Sequence, residues 1–179
     1  PLPPLSTDGA ARMIRALEIA NERRSSNRYL GDITVAFKPR DVQAYLSSAG
    51  LTMITSQSRE RLVLPFLGGR LDPEGEEYEA WSKNRYANAL TPIRALPAED
   101  ISSLGLSSLR PSIADDLDRL RNLGQIAGVE QILIANYTGG GIRVTDVALD
   151  TGETDQFVAS GYEAERQIVT RLEQDWKAN

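Results

Sequence analysis

One stretch limits what this 179-residue chain can fold into more than any other: the run Arg61–Gly69, in which the residues from Leu62 to Leu67 are all apolar. A strand with one exposed face alternates apolar and polar side chains, whereas a run without alternation is typical of a strand buried on both faces. A second such run, Gln131–Ala135, follows later. Because both faces of these strands must be covered, the chain is predicted to form a sheet with helices packed on it.

The segment before this run predicts a smaller structure of its own. Met13–Ala20 suits either a strand or a short helix, and the apolar–polar alternation over Tyr29–Phe37 favours the strand, with one buried face on its partner. The two strands are expected to form a hairpin across the polar loop 21–28. A helix then begins at Pro39, where proline fits the first turn, and ends at Gly50.

The remaining elements complete an α+β fold with one mixed sheet, and a division into two small lobes is an alternative. We predict a strand at Leu51–Ser56, a helix at Glu76–Leu90, a loop at Pro97–Arg110, and two helices that start at the capping-box sequences Ser112–Asp115 and Ser160–Glu163. The chain is thus divided into an extended lead-in at 1–12, a hairpin-and-helix lobe at 13–50, and a mixed α/β lobe at 51–179. We expect the two lobes to pack as one domain.

Composition excludes whole classes of chemistry. The chain has neither Cys nor His, which rules out thiol nucleophiles, His-dependent triads and Cys/His zinc sites. Its net charge of −5 argues against a nucleic-acid partner. The apolar runs are strand-sized, so no integral membrane segment is predicted. We therefore expect no cofactor, no metal and no enzymatic activity.

A series of short motifs between Met13 and Tyr137 carries a resemblance to a known family. The block Glu22-Arg-Arg-Ser-Ser-Asn-Arg28-Tyr29 precedes a strand that ends in Phe37-Lys-Pro39 and a helix that ends in Ala49-Gly50, and Leu62-Val-Leu-Pro65, Trp81 and Gly128–Ala135 follow in order. This pattern resembles the proteobacterial domain-of-unknown-function family numbered twenty sixty-six, from Met13 to Tyr137. More faintly, the core that begins at Arg61 is similar to envelope domains of the TolB N-terminal and curli-secretion lipoprotein type.

The resemblance implies a location and no chemistry. Members of the family are mostly exported proteins of the Gram-negative envelope, so the resemblance implies a periplasmic mature chain without an established activity, cofactor or catalytic residue. The chain begins at Pro1 without Met, and we expect it to be a processed product. Members usually carry further sequence before the hairpin, which is not present here.

Two groups of residues are candidates for binding. Glu22, Arg23, Arg24 and Arg28 flank the hairpin loop, where they could contact a partner or an anionic group, or Glu22 and Arg28 could simply form an exposed ion pair. Gly68 and Gly69 follow the central strand, where backbone amides can approach a ligand. The acidic residues behind them would repel an anion, and a plain turn is the alternative.

Aromatic and acidic residues form two further candidate sites. Tyr78 and Trp81 lie three apart on the predicted helix, either as a partner contact or as part of the core. Asp115, Asp116 and Asp118 could bind a metal, support acid–base chemistry or simply cap a helix, and Asp100 is a further candidate for acid–base chemistry.

These observations lead to three hypotheses of function. The first is a non-enzymatic periplasmic domain that acts by protein–protein contact, including possible self-association, in a cell-envelope assembly. The alternative is a small-ligand-binding module that uses the loops after Gly69 and Leu96. The third is a carboxylate-based hydrolase that uses Asp100 or the cluster around Asp115.

Overall fold

The computed structural model describes residues 4–51, 56–82 and 85–178. The chain divides into two compact units, Pro1–Ile54 and Thr55–Asn179. We call the first the hairpin unit and the second the α/β unit. The architecture is α+β, as predicted from the sequence.

The hairpin unit consists of a long β-hairpin between two helices. Helix α1 spans Thr7–Met13, strand β1 spans Ile14–Ser25, strand β2 spans Arg28–Phe37, and helix α2 spans Pro39–Ser48. Strands β1 and β2 pair antiparallel from Ile14↔Phe37 to Ser25↔Arg28. The predicted hairpin and the helix that begins at Pro39 are therefore confirmed, although the strands reach much closer to the turn than the predicted loop 21–28 allows.

Helix α1 contradicts the predicted extended lead-in at 1–12. Its N-cap is Ser6, whose hydroxyl accepts a hydrogen bond of 3.0 Å from the backbone N–H of Gly9, and Asp8 lies in the first turn. Both features stabilise a helix start because they satisfy free amides and complement the helix dipole. The lead-in prediction is wrong from Thr7 onward because it weighed the preceding prolines above this cap.

The α/β unit is built on one mixed sheet. Its elements are β3 (Arg61–Leu67), β4 (Arg70–Leu71), α3 (Glu76–Glu79), β5 (Ile93–Arg94), α4 (Ala98–Ser103), α5 (Leu117–Ala127), β6 (Gln131–Thr138), β7 (Gly141–Ala148), β8 (Thr154–Ala159) and α6 (Ala164–Ala178). The strand order is β4-β3-β6-β7-β8, with β5 also paired to β3. β3 is parallel to β5 and β6, and the other pairs are antiparallel.

Strand β3 lies at the centre of the core, as its apolar run predicts. Five consecutive residues, Leu62–Phe66, are buried, and four consecutive residues of β6, Ile132–Ala135, are buried beside them. Consecutive side chains of a strand point to opposite faces, so both faces of this parallel pair are covered. Helix α5 contacts β6, and α6 contacts β7 and β8.

Pro65 occupies a position in β3 that tolerates a missing N–H. The N–H of Arg61 donates to the carbonyl of Pro92, on the β5 side. The backbone nitrogen of Pro65 points to the same side, because the side to which a strand's N–H groups point repeats every two residues. On that side β5 pairs with Arg61 and Leu62, and β4 pairs with Phe66 and Leu67. Pro65 falls between the two pairings, so no ladder hydrogen bond is lost there.

The segment between β4 and α5 differs most from the sequence-based expectation. The helix predicted at Glu76–Leu90 extends only over Glu76–Glu79 before turns follow, and the loop predicted at Pro97–Arg110 contains helix α4. Short 3-10 helices follow at Leu106–Ser108 and Pro111–Asp115. The helix predicted to start at Ser112 begins at Leu117 instead, because Asp116 caps it by accepting from the N–H of Arg119 at 3.1 Å. Most of the strand predicted at Leu51–Ser56 lies outside the described residues.

Candidate functional site

The hairpin places most of its large apolar side chains on one face. The register pairs Leu17 with Val35 and Ile19 with Ile33, and Phe37 lies on the same face because side chains alternate along β2. This face is exposed: the exposed fraction is 55% for Leu17, 58% for Ile33 and 54% for Phe37. The alternation was therefore predicted correctly, whereas the prediction that β2 has one buried face is wrong.

Three arginines surround the end of this face near the turn. Arg24 pairs with Tyr29 on the apolar face, and its guanidinium lies 5.4 Å from the centroid of the Tyr29 ring, within cation–π distance. Arg23 pairs with Leu30 on the opposite face, and Arg28 lies beside the turn. The predicted contact residues thus form a basic tip at one end of an apolar strip.

A β-bulge sets which arginine joins the apolar face. Asn21 and Glu22 together oppose Gly31, Asn21 has a φ of 55°, and its side-chain amide donates to Asp32 at 2.8 Å. The extra residue lies in β1, so each later side chain of β1 points to the face opposite to the one it would otherwise occupy. Among the described residues Glu22 and Arg28 form no ion pair, so the predicted cross-hairpin pair is not formed.

Tyr78 and Trp81, the other predicted contact residues, lie in the core of the α/β unit. The exposed fractions are 4% for Tyr78 and 0% for Trp81. The hydroxyl of Tyr78 donates to the carbonyl of Leu96 at 2.5 Å, and burial followed by the charge of Asp100 raises the pKa of Tyr78. Neither side chain contributes to an accessible contact surface.

Trp81 belongs to a hydrogen-bond chain that sequence reasoning missed. Its Nε1–H donates to the hydroxyl of Tyr137 at 2.9 Å, and that hydroxyl donates to Glu165 Oε1 at 2.8 Å. Burial, followed by the hydrogen bond to Glu165, raises the pKa of Tyr137, so its phenol stays protonated and remains a donor. The available signal was a tyrosine at the carboxyl end of the second apolar run, where parallel strands end together.

A groove of about 330 Å³ adjoins the hydrogen-bond chain of Trp81, Tyr137 and Glu165. Its lining combines two arginines, two glutamates and a tyrosine: Arg85, Tyr86, Glu163, Glu165 and Arg166. The ring of Tyr86 lies 5.5 Å from that of Trp81, and Arg166 pairs with Glu163 at 3.6 Å. The charges in the groove are therefore largely offset by one another.

The two predicted ligand loops have structural roles in the α/β unit. Gly68 and Gly69 have φ values of 57° and 76° and form the two-residue turn of the β3–β4 hairpin. Positive φ at both positions is what such a turn requires. The other loop begins at the buried Leu96, whose carbonyl is occupied by Tyr78, and leads directly into α4. The glycines thus precede a short strand, and not the acidic helix that the ligand hypothesis assumed.

The four candidate carboxylates are not assembled into one site. Asp115 ends a 3-10 helix, Asp116 caps α5, and Asp118 lies 3.8 Å from Arg121, while Asp100 belongs to α4. No group of three or more His, Cys, Asp or Glu that could hold a metal ion occurs in the part of the chain that the structure describes.

One acid of the α/β unit is buried with a partner. Arg61 Nε lies 3.0 Å from Asp146, and the exposed fractions of the two side chains are 11% and 13%. Burial raises the pKa of Asp146, and the opposite charge of Arg61 works against that shift. Asp146 and Tyr137 are thus each held by a hydrogen bond with another side chain.

Comparisons with known proteins give a single distant likeness. No protein-family model and no curated protein matches the chain, so the resemblance to the family numbered twenty sixty-six stays a prediction. Among solved structures, the lipoprotein GNA1162 from Neisseria meningitidis is similar, with a TM-score of 0.34 and 14% identity over 68% of this chain and 98% of that one. Within the described residues, no helix is long and apolar enough to cross a membrane.

Proposed function

We propose that this chain is a non-enzymatic periplasmic component of a cell-envelope assembly and acts by contacting another protein through its hairpin. The observation that carries this proposal is the exposed apolar face formed by Leu17, Ile19, Ile33 and Phe37. Each large apolar side chain of this kind contributes about 1.5–3 kcal/mol when it becomes fully buried. Exposed apolar faces bordered by polar residues are typical of interaction sites.

The hairpin also specifies the chemistry of the partner surface. Arg23, Arg24 and Arg28 cluster at the tip, and Arg24 is held on the apolar side by its contact with Tyr29. A surface that combines an apolar strip with carboxylates at one end would match both features. Charge complementarity of this type fixes the orientation of a partner and speeds its association.

Two further considerations support the proposal. The four carboxylates considered for acid–base chemistry are spread over α4, a 3-10 helix and the start of α5, which supports a non-enzymatic role. The location in the periplasm is supported by the sequence resemblance to an exported family.

Site-specific photocrosslinking in Gram-negative cells tests the proposal. A photoreactive residue at Ile33 lies on the apolar face, and one at the neighbouring Thr34 lies on the opposite face. We expect Ile33 to capture a discrete protein and Thr34 to capture it much less. Similar capture from both positions would show that the face is not the contact surface.

A matched pair of substitutions provides the control. Ile33→Thr removes an apolar side chain from the contact face, whereas Leu30→Thr removes a similarly exposed one from the other face, and both substitutions introduce threonine, a β-branched strand former. Co-purification of the captured protein should fall only for Ile33→Thr. A protein that stays strictly monomeric and partnerless in envelope extracts would contradict the proposal.

A further inference from the structure

Strand β8 is an open edge of the main sheet. It pairs with β7 from Val147↔Thr154 to Ile142↔Ala159, and no described strand lies on its other side. The residues Thr154, Asp155, Gln156 and Val158 are exposed along it. An edge of this kind offers a row of unpaired backbone N–H and C=O groups, which only another extended backbone can satisfy as a set.

The register identifies which backbone groups are free. The N–H of Ala148 donates to the carbonyl of Glu153, so this pair is hydrogen-bonded. Hydrogen-bonded pairs alternate along an antiparallel ladder, and Asp155 and Phe157 therefore point their backbone groups toward β7. Thr154, Gln156 and Val158 point theirs outward.

The usual devices that protect an edge strand are missing from β8. Its sequence, Thr154–Ala159, has no Lys and no Pro, and its register with β7 is unbroken by a bulge. The one charge, Asp155, is drawn toward α6, where Arg171 lies 3.7 Å away. Exposed apolar side chains flank the edge, because Val158 is 62% exposed and Tyr162 is 90% exposed.

We propose that β8 pairs antiparallel with β8 of a second copy of this chain, about a two-fold axis through Gln156. In this register the outward residues face one another, with Gln156 opposite Gln156 and Thr154 opposite Val158. The three pairs form about six backbone hydrogen bonds and join the two sheets into one.

Charge favours a second copy as the occupant of this edge. The same register sets Asp155 of each copy opposite Phe157 of the other, and like charges are nowhere opposed along the strand. The guanidinium of Arg171 lies 4.8 Å from the centroid of the Phe157 ring in its own copy. The carboxylate of each copy therefore meets an arginine of the other, and opposite charges in such positions stabilise strand pairing.

Disulfide crosslinking tests the register directly, because the chain has no cysteine of its own. Across the axis the two Gln156 Cα atoms are about 5.5 Å apart, within the range that a disulfide spans, whereas the two Thr154 Cα atoms are about 14 Å apart. On a non-reducing denaturing gel, mild oxidation should shift Gln156→Cys from the 19.6 kDa band to a covalent species of twice that mass. Thr154→Cys alone should stay at the single-chain mass on the same gel, and a mixture of Thr154→Cys with Val158→Cys should crosslink.

Equilibrium measurements give an independent readout on the protein without cysteine. Light scattering of the wild type should show a dimer whose dissociation constant rises about tenfold or more in Val158→Lys, since a lysine on the edge opposes strand addition. Ile126→Lys is the matched control, because Ile126 is a similarly exposed apolar residue on α5, and it should leave the dimer unchanged. A monomeric wild type, or equal crosslinking of Gln156→Cys and Thr154→Cys alone, would overturn the proposal; capture of a different protein by the edge would also do so.

Discussion

The hairpin unit and the α/β unit are both built on β-strands and differ in what covers those strands. All residues of β1 and β2 are exposed or half-buried, whereas five consecutive residues of β3 are buried. A two-stranded hairpin is at best marginally stable in water, while a sheet covered on both faces holds a core. The contrast indicates that the α/β unit supplies the stability of the chain and that the hairpin unit supplies an accessible surface.

Hydrogen exchange provides the largest expected contrast between the units. Amides of β3 and β6 should be protected at least about 10³-fold more than those of β1 and β2 in the protein alone, because core strands open only with global unfolding. Exchange read by mass spectrometry on peptides from the two units measures this. Equal protection would mean that the hairpin face is covered in solution, which would break the comparison.

A pair of phenylalanine substitutions tests the same contrast energetically. Phe66→Ala should lower the free energy of unfolding by about 3–5 kcal/mol, because Phe66 is fully buried and its removal leaves a cavity. Phe37→Ala should cost less than about 1 kcal/mol, because more than half of Phe37 is already exposed. Urea denaturation followed by fluorescence compares them, and a large effect of Phe37→Ala would place that ring in a core.

A second matched pair concerns hydrogen bonds. Tyr137→Phe removes the acceptor of Trp81 Nε1 and the donor to Glu165, so it should cost about 1–3 kcal/mol. Asp32→Ala removes the exposed acceptor of Asn21 and should change stability by about 0.5 kcal/mol or less. If the two variants unfold at the same urea concentration, the buried hydrogen bonds of the α/β unit contribute no more to stability than the exposed one of the hairpin.

The pH dependence of stability gives the smallest expected effect. The pKa of Asp146 is raised in the folded state, so the folded state holds its proton to higher pH than the unfolded state does. Its contribution is fully present below the unfolded carboxyl pKa of about 3.9 and is lost as the pH rises through the raised pKa.

Asp146→Asn should therefore flatten the fall in stability across that window, measured as melting temperature against pH. Asp32→Asn in the exposed hairpin is the control and should leave the profile unchanged. An unaltered profile in Asp146→Asn would contradict the raised pKa of Asp146. It would show that the charge of Arg61 cancels the effect of burial on that pKa.

The sequence predicted those parts of the fold that depend on local periodicity. Strand β3 and the hairpin follow from the spacing of apolar residues along the chain. Local patterns predicted the wrong structure in two places. The prolines before Ser6 indicated an extended segment where a helix forms, and the predicted helix at Glu76–Leu90 ends at Glu79. Periodicity located these elements because each depends on residues a few positions apart.

The candidate site was only partly predictable for the opposite reason. Alternation along β2 shows where an apolar face lies and says nothing about what covers it, so the exposure of Ile33 could not be read from the sequence. The bond between Tyr137 and Glu165 joins residues 28 positions apart and depends on how α6 packs. Strand order likewise decides that β8 is an edge. Tertiary arrangement, and not residue type, determines these features.

The proline in the middle of β3 has a consequence for biosynthesis. The parallel partner of β3 begins only at Gln131, so at ordinary synthesis rates the apolar run that ends at Leu67 waits roughly 3–13 s for β6 to be made. Apolar strand-forming segments without proline are prone to stack into aggregates during such an interval. Because Pro65 cannot donate a ladder hydrogen bond, it interrupts that stacking while the native sheet loses nothing.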